Sequence, residues 1–274
     1  MAARRLPSRH VERIWGRRDL AGPFAPPAGV GAEPIGEIWF EGAADAELLV
    51  KYLFTSERLS IQVHPDDEAA RVRGHARGKD EAWYVLAAEP GAVIGLGLTH
   101  LVSRPALREA AQDGSIAHLL DWRPVAAGES FYSPAGTIHA IGGGLSLVEI
   151  QQNLDLTYRL YDYGRPRELH LDEGIAVADP GPWVRPFDPV RDAPRTILAA
   201  GGAFVLERWP LAAGTAACLP DGTMIVPLAP EGAIDGAALE LGAVWAAEGR
   251  IDFAGPADLL VAYPGGEALR FPFA

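Results

Sequence analysis

Apolar and polar residues alternate through "LSIQVH" (59–64): Leu59, Ile61 and Val63 against Ser60, Gln62 and His64. Side chains two positions apart leave a strand on the same face. The pattern predicts a strand over 58–64 with Ser60, Gln62 and His64 on one side, facing either water or a site. Other short apolar runs predict strands at "IGEIWFEG" (35–42), "EAWYVLAA" (81–88), "AVIGLGL" (92–98), "ESFYS" (129–133), "LSLVEIQQ" (145–152) and "LTYRLYD" (156–162). Turn residues such as Glu89, Pro90 and Gly91 separate them. "ADAELLVKYLF" (44–54) reads equally as a strand or as a helical turn running into one. Residues 1–35 show no period, and "GPFAPPAGVGAEP" marks them as irregular.

Three stretches depart from the β pattern. "PDDEAARVRGHARGKD" (65–80) reads as a helix start and a loop, with Asp66 and Asp67 as N-cap and first-turn acid. Between Ser103 and Leu120, Ser103 suits an N-cap, Pro105 a first turn, and Gly114–Ser115 a stop and restart. "RELHLDEGIAVA" (167–178) reads as a closing helix, and the Pro- and Asp-rich segment 179–194 as a linker. Beyond it, "AFVLERWPL", "TMIVPLA", "ALELGAVWAA" and "DLLVAYP" repeat at roughly ten-residue intervals, the spacing of a sandwich or barrel. The expected architecture is all-β. A first unit, 1–188, carries a helical insertion at about 103–120, and a second, smaller β unit spans 189–274.

Composition narrows the function. The chain has 274 residues and a net charge of −12, which argues against nucleic acid or an anionic membrane surface as partner. An anionic substrate would need a local cluster of Lys and Arg. Cys218 is the single cysteine, so no internal disulfide forms, which fits a reducing cytoplasm. It reads as an inert small apolar residue. No apolar run is long enough to span a bilayer. The Arg-rich start "MAARRLPSRHVERIWGRR" is read as part of the folded domain rather than as a transit peptide.

The chemistry concentrates in the first unit. "GESFYSPAGTIHAIGG" (128–143) sets a strand, a Pro–Gly turn, and a strand presenting His139. This spacing resembles the second motif of the cupins, small jelly-roll barrels that hold a metal in the barrel mouth. Gly143 stands where cupins usually have Asn. The other cupin ligands come from a His-x-His strand and a following Glu; here Gln62-x-His64 and Glu81 take those places. Two imidazoles, a carboxylate and an amide oxygen suit Zn²⁺ with one position open.

Several stretches together resemble one family. "IWG" (14–16), "GEIWFEG", "LLVKYLFTSERLSIQVHPDD", "GKDEAWYVL", "GESFYSPAGTIHAIG" and "EIQQNLDLTYRLYDYGR" are similar to the type I mannose-6-phosphate isomerases of the short bacterial form, over residues 14 to about 178. The resemblance implies a cupin jelly-roll barrel followed by a degenerate cupin-like unit without a metal site. It implies zinc held by Gln62, His64, Glu81 and His139. The implied reaction interconverts mannose 6-phosphate and fructose 6-phosphate through a cis-enediol. Arg159 and Lys79 are the implied catalytic residues, and Lys51, Ser60 and Arg165 the implied substrate contacts. The proton shuttle stays open between a water on the metal, Glu81 and a nearby Lys or Asp. On strand alternation, Arg159 shares a face with Thr157 and Tyr161.

The resemblance fits a cytoplasmic enzyme, monomeric or a small homo-oligomer, acting on a sugar phosphate. Two other readings remain at this level: an Fe(II) dioxygenase using two His and one carboxylate, and a cupin that binds sugar phosphates without turning them over. Trp39 is expected in the core or pocket wall, with Glu37 near the site. His10, His75, His100, His118 and His170 lack ligand partners at useful spacing.

Overall fold

The computed structural model describes residues 3–30, 32–43 and 45–273. The ends of the two expected units (Met1, Ala2 and Ala274), Gly31 in the expected irregular start and Ala44, first residue of the ambiguous segment, lie outside them.

Antiparallel strands form three open sheets. The first holds six strands in the order Ser8–Arg17, Ile35–Phe40, Leu48–Thr55, Leu145–Gln152, Glu81–Ala88 and Ser130–Ser133. The second holds five, in the order Tyr158–Tyr161, Ile61–Val63, His139–Ile141, Val93–Leu98 and Leu120–Pro124. The two face each other as a jelly-roll sandwich that hydrogen bonding does not close. The third, of nine strands, runs from Val190–Asp192 through Ala257–Pro264 and is joined at one edge by Ala3–Arg5.

Strand alternation sorts the side chains into layers. In the six-stranded sheet Val50, Tyr52, Phe54, Ala82, Tyr84, Val148 and Ile150 point outward and pack against Phe204, Leu206, Val226 and Leu260 of the C-terminal sheet. Each fully buried side chain of this kind is worth about 1.5–3 kcal/mol. Four of them rival the net stability of a typical domain, about 5–15 kcal/mol, so this contact is an integral part of the fold. In the five-stranded sheet Ile61, Val63, Ile138, Ala140 and Leu160 point outward under a helical layer that contributes Leu107, Ala111, Ile116 and Ile175. Between the sheets a third cluster, with Trp15, Leu59, Trp83, Leu96 and Leu147, fills one end. The polar residues fill the other.

The helical expectations hold. Asp66 caps the helix Asp67–Val72 by accepting from the Ala69 amide at 2.8 Å. Ser103 caps Arg104–Asp113, which Gly114 ends with a left-handed φ of 83° before Ile116–Leu119. The closing helix spans Leu171–Val177. Among the described residues no helix is long and apolar enough to cross a membrane.

The chain start departs from expectation. Residues 3–5 and 8–17 are strands rather than irregular chain. Ser8–Arg17 is an edge strand with few buried positions, so no apolar period marks it. Its ladder also breaks, because Glu12 and Arg17 both pair with Ile35 and the residues between bulge out. A Cβ on Gly16 would lie 2.4 Å from the Ile35 backbone, so glycine there lets the bulge close. The ambiguous segment resolves as the strand Leu48–Thr55, buried on both faces. Cys218 is exposed rather than packed among apolar neighbours.

Candidate metal centre

His139 and Arg159 flank Gln62 in the five-stranded sheet, each as its direct ladder partner. Across the sandwich, Glu81 lies beside Gln151 and Ser133 in the six-stranded sheet. Folding therefore brings residues more than seventy positions apart into one place. His64, Glu81 and His139 are all buried, and each offers a ligand atom within 4.8 Å of the others. Glu81 Oε1 is 3.2 Å from His64 Nε2, and Oε2 is 3.4 Å from His139 Nε2.

The second ring nitrogens settle how the imidazoles present themselves. His64 Nδ1 lies 2.9 Å from the Leu156 carbonyl, and His139 Nδ1 lies 2.9 Å from the Thr137 carbonyl. A carbonyl only accepts, so each Nδ1 carries the proton and donates, leaving both Nε2 lone pairs aimed at the shared space. Glu81 supplies the matching charge, and neither buried oxygen has a well-aligned hydrogen bond. A divalent cation suits this donor set of two neutral imidazoles and one under-satisfied carboxylate. Gln62 sits beside it: its Nε2 is 3.3 Å from His139 Nε2, and its Oε1 accepts from Ser60 Oγ at 3.2 Å. Exchanging the two amide atoms, which have nearly the same shape, turns the oxygen towards the imidazole. Gln62 can then join as a fourth donor.

Burial leaves its mark on protonation. Desolvation, aided by Lys79, pushes the His64 pKa down to about 3, and desolvation also lowers that of His139. Burial favours the neutral form of Glu81, but Lys79, 2.9 Å from Oε1, and the imidazoles hold its pKa well below the usual range. Burial opposes the charge on Lys79 too, yet Glu81 and Glu149 raise its pKa, so it stays an ammonium.

His64 thereby sets an acid-side stability window. In the unfolded chain it takes up a proton near pH 6.5, approximately its unperturbed pKa. The folded pKa is the lower one. The metal-free protein keeps this contribution above about pH 6.5 and loses it as the pH falls towards 3, by up to about 1.4 kcal/mol per pH unit. In urea unfolding from about pH 7 to about pH 4, stability should fall more steeply for metal-free wild type than for His64→Gln.

Two of the four donors, Gln62 and Glu81, open onto a cavity of about 570 Å³. Lys51, Ser60, Gln62, Lys79, Glu81 and Arg159 line it, as do Glu37 and Trp39. Lys51 lies 3.2 Å from Glu149 Oε1, donates to Gln151 Oε1 at 2.6 Å, and sits 4.3 Å over the Trp39 ring. Arg13 pairs with Glu37 at 2.8 Å, and Arg167 with Asp162 at 2.6 Å. Arg159 differs from the other cavity cations. It donates to the Glu168 carbonyl at 2.7 Å, its buried Nε is unpartnered, and no carboxylate lies within 4.0 Å among the described residues.

Two expected placements differ. Arg165 turns outward to Glu57 (2.7 Å), and Arg167 lines the cavity in its place. A turn with Tyr163 at φ 55° and Gly164 at φ 79° precedes both arginines. Tyr161 does not share the face of Arg159, because the ladder slips between them and Tyr161 packs under the helices. Strand reasoning also passed over Glu149, which is buried at the cavity wall and accepts from Trp83 Nε1 at 3.0 Å. Burial and the Glu81 charge raise its pKa against the pull of Lys51 and Lys79.

No protein-family model matches the chain. It is 37% identical over 171 residues to the mannose-6-phosphate isomerase of Streptococcus mutans, covering 59% of this chain and 54% of that one. It is 37% identical over 175 residues to mannose-6-phosphate isomerase ManA of Bacillus subtilis, covering 60% and 55%. The chain thus spans about half the length of the curated relatives it matches. Among solved structures, mannose 6-phosphate isomerase from Bacillus subtilis superposes with a TM-score of 0.84 at 25% identity, over 96% of this chain and all of that one. A phosphomannose isomerase from Salmonella typhimurium shares the fold alone, at TM-score 0.75 and 14% identity over 97% of this chain. The chain is therefore similar in sequence to mannose-6-phosphate isomerases over about three-fifths of its length, and it shares the fold of the Bacillus subtilis structure over nearly all of it.

Proposed function

We propose that this chain is a zinc-dependent aldose–ketose isomerase interconverting mannose 6-phosphate and fructose 6-phosphate, acting in the cytoplasm. Residues 1–188 carry the catalytic site and 189–274 support it. The observation that carries the reading is the pairing of a buried two-imidazole, one-carboxylate centre with a cavity cation, Arg159, that has no carboxylate of its own.

Zinc, held by His64, Glu81, His139 and Gln62, would supply a Lewis acid for the oxyanion that develops during enolisation. The protein groups do the rest. Glu149 is our choice for the proton shuttle, because it is buried at the cavity wall and burial, with the Glu81 charge, raises its pKa above that of an ordinary carboxyl. In the aldose-to-ketose direction it takes the C2 proton, leaving a cis-enediolate; the O2 hydroxyl proton passes to O1, and Glu149 returns its proton to C1 as the C2 carbonyl forms. Lys79 stays charged and so cannot act as a base; it steadies negative charge beside Glu81. Lys51 and Ser60 face the sugar hydroxyls. Arg159, with Arg167 in place of Arg165, receives the phosphate.

Incubating the protein with mannose 6-phosphate in D₂O and following the sugar by NMR tests the reading. Fructose 6-phosphate should form through proton transfer between C2 and C1. Absence of ketose from metal-loaded protein would exclude it. The same three ligands would also suit Fe(II), and oxygen uptake by iron-loaded protein would favour that chemistry. Arg159→Ala should lower kcat/KM by about tenfold or more, the scale of one lost charge-assisted hydrogen bond of about 1.5–3 kcal/mol, while metal content is unchanged. Unaltered kinetics would remove Arg159 from the site.

A further inference from the structure

Asp80 stands between Lys79 and Glu81 and points the opposite way, out of the cavity. Its carboxylate is a hub. Oδ1 accepts from the Ala135 amide at 2.8 Å, within the Pro134–Gly136 turn that leads into His139. Oδ2 accepts from the Tyr132 hydroxyl at 2.6 Å. That hydroxyl in turn accepts from the Ala203 amide at 2.9 Å, and the same amide lies 3.3 Å from Asp80 Oδ2. The Asp80 backbone is locked as well. Its amide donates to Gln152 Oε1 at 2.9 Å, and its carbonyl accepts from the Gln152 amide at 3.0 Å. The Gly136 amide donates to the His64 carbonyl at 2.9 Å. All three ligand segments are therefore tied to one polar network, and one of its partners, Ala203, belongs to the C-terminal β unit.

That partner is placed with little slack. A Cβ on Gly202 would lie 2.0 Å from the Tyr132 hydroxyl oxygen, so only glycine lets the loop come this close. Phe204, next along, packs on the Tyr132 ring with centroids 5.2 Å apart.

We propose that the loop at residues 201–203 positions the metal centre, acting through Tyr132 and Asp80 on Glu81 and on the turn before His139. The C-terminal unit then has a role in the site although it contributes no ligand. The proposal rests on the reading that His64, Glu81 and His139 bind a metal. Asp80 and Tyr132 are positioning residues, since neither touches the metal space.

Titrating metal-free protein with Co²⁺ alone, followed by its visible absorption, tests this. Tyr132→Phe removes one hydroxyl and keeps the ring. It should weaken Co²⁺ binding about tenfold or more, the scale seen when groups that orient ligands are removed, and should alter the absorption spectrum. Gly202→Ala should act in the same direction. Glu207→Gln cuts a buried partner of Arg195 elsewhere in the same unit. It should lower the melting temperature and leave Co²⁺ affinity unchanged. Unchanged affinity in both Tyr132→Phe and Gly202→Ala would overturn the proposal. So would an equal loss in Glu207→Gln, which would make the effect one of general stability. Failure of the wild type itself to bind Co²⁺ would instead remove the metal reading beneath it.

Discussion

His139→Ala is expected to lose both the metal and the isomerase activity. His139 gives one of the two neutral imidazole lone pairs in the centre. Without it the site keeps one imidazole, the Glu81 carboxylate and the weaker amide donor Gln62, and the two-imidazole set that suits a divalent ion is broken. The Lewis-acid contribution is worth several kcal/mol, and each 1.4 kcal/mol is a factor of ten. Turnover should fall by about a thousandfold or more. The side chain also packs on Trp83, with ring centroids 5.3 Å apart, so melting of the metal-free variant must be compared with metal-free wild type. Stoichiometric metal in a folded His139→Ala protein would remove His139 from the ligand set.

Glu149→Gln should separate proton transfer from metal binding. The substitution keeps shape and hydrogen bonding but cannot take up a proton. Positioned acid–base groups contribute about 10²–10⁴-fold, so kcat should fall by that factor while metal content holds. The pH profile gives a second readout. The folded pKa of Glu149 lies above the ordinary carboxylate value, so the basic form is depleted sooner as pH falls. Wild-type kcat should decline on the acid side at a higher pH than an ordinary Glu would impose, and that limb should vanish in Glu149→Gln. A variant with full kcat would pass the shuttle to another group.

Much of this centre was legible in the sequence because alternation survives in the strands that build it. Alternation puts Ser60, Gln62 and His64 on one face; Ser60 and Gln62 line the cavity and His64 joins the buried cluster with Glu81 and His139. The opposite face, Ile61 and Val63, was visibly apolar because the helical layer covers it. Glu149 and Gln151 alternate with Val148 and Ile150 in the same manner, and the rule that singled out Gln62 could have found Glu149. Lys51 was harder. Its strand is buried on both faces, so no period marks it, and only a Lys inside an apolar run hints at a buried partner.

Other features depended on backbone events that leave weak traces. The bulge at residues 13–16 brings Arg13 to the cavity wall, yet its strand reads as irregular chain because an edge strand needs little apolar surface. Gly164 in "LYDYGR" signals a turn, but nothing in the string announces that Tyr163 is left-handed as well or which of Arg165 and Arg167 faces the cavity. The link from Ala203 through Tyr132 to Asp80 joins residues 123 positions apart and follows from packing of the two units.

The most direct test of a metal-dependent isomerase is one protein sample measured three times with mannose 6-phosphate, coupled to consumption of fructose 6-phosphate. The sample is assayed as purified, after chelation and dialysis, and after return of one equivalent of Zn²⁺. Activity should disappear with the metal and come back with it. Full turnover in protein shown by elemental analysis to be metal-free would contradict the account.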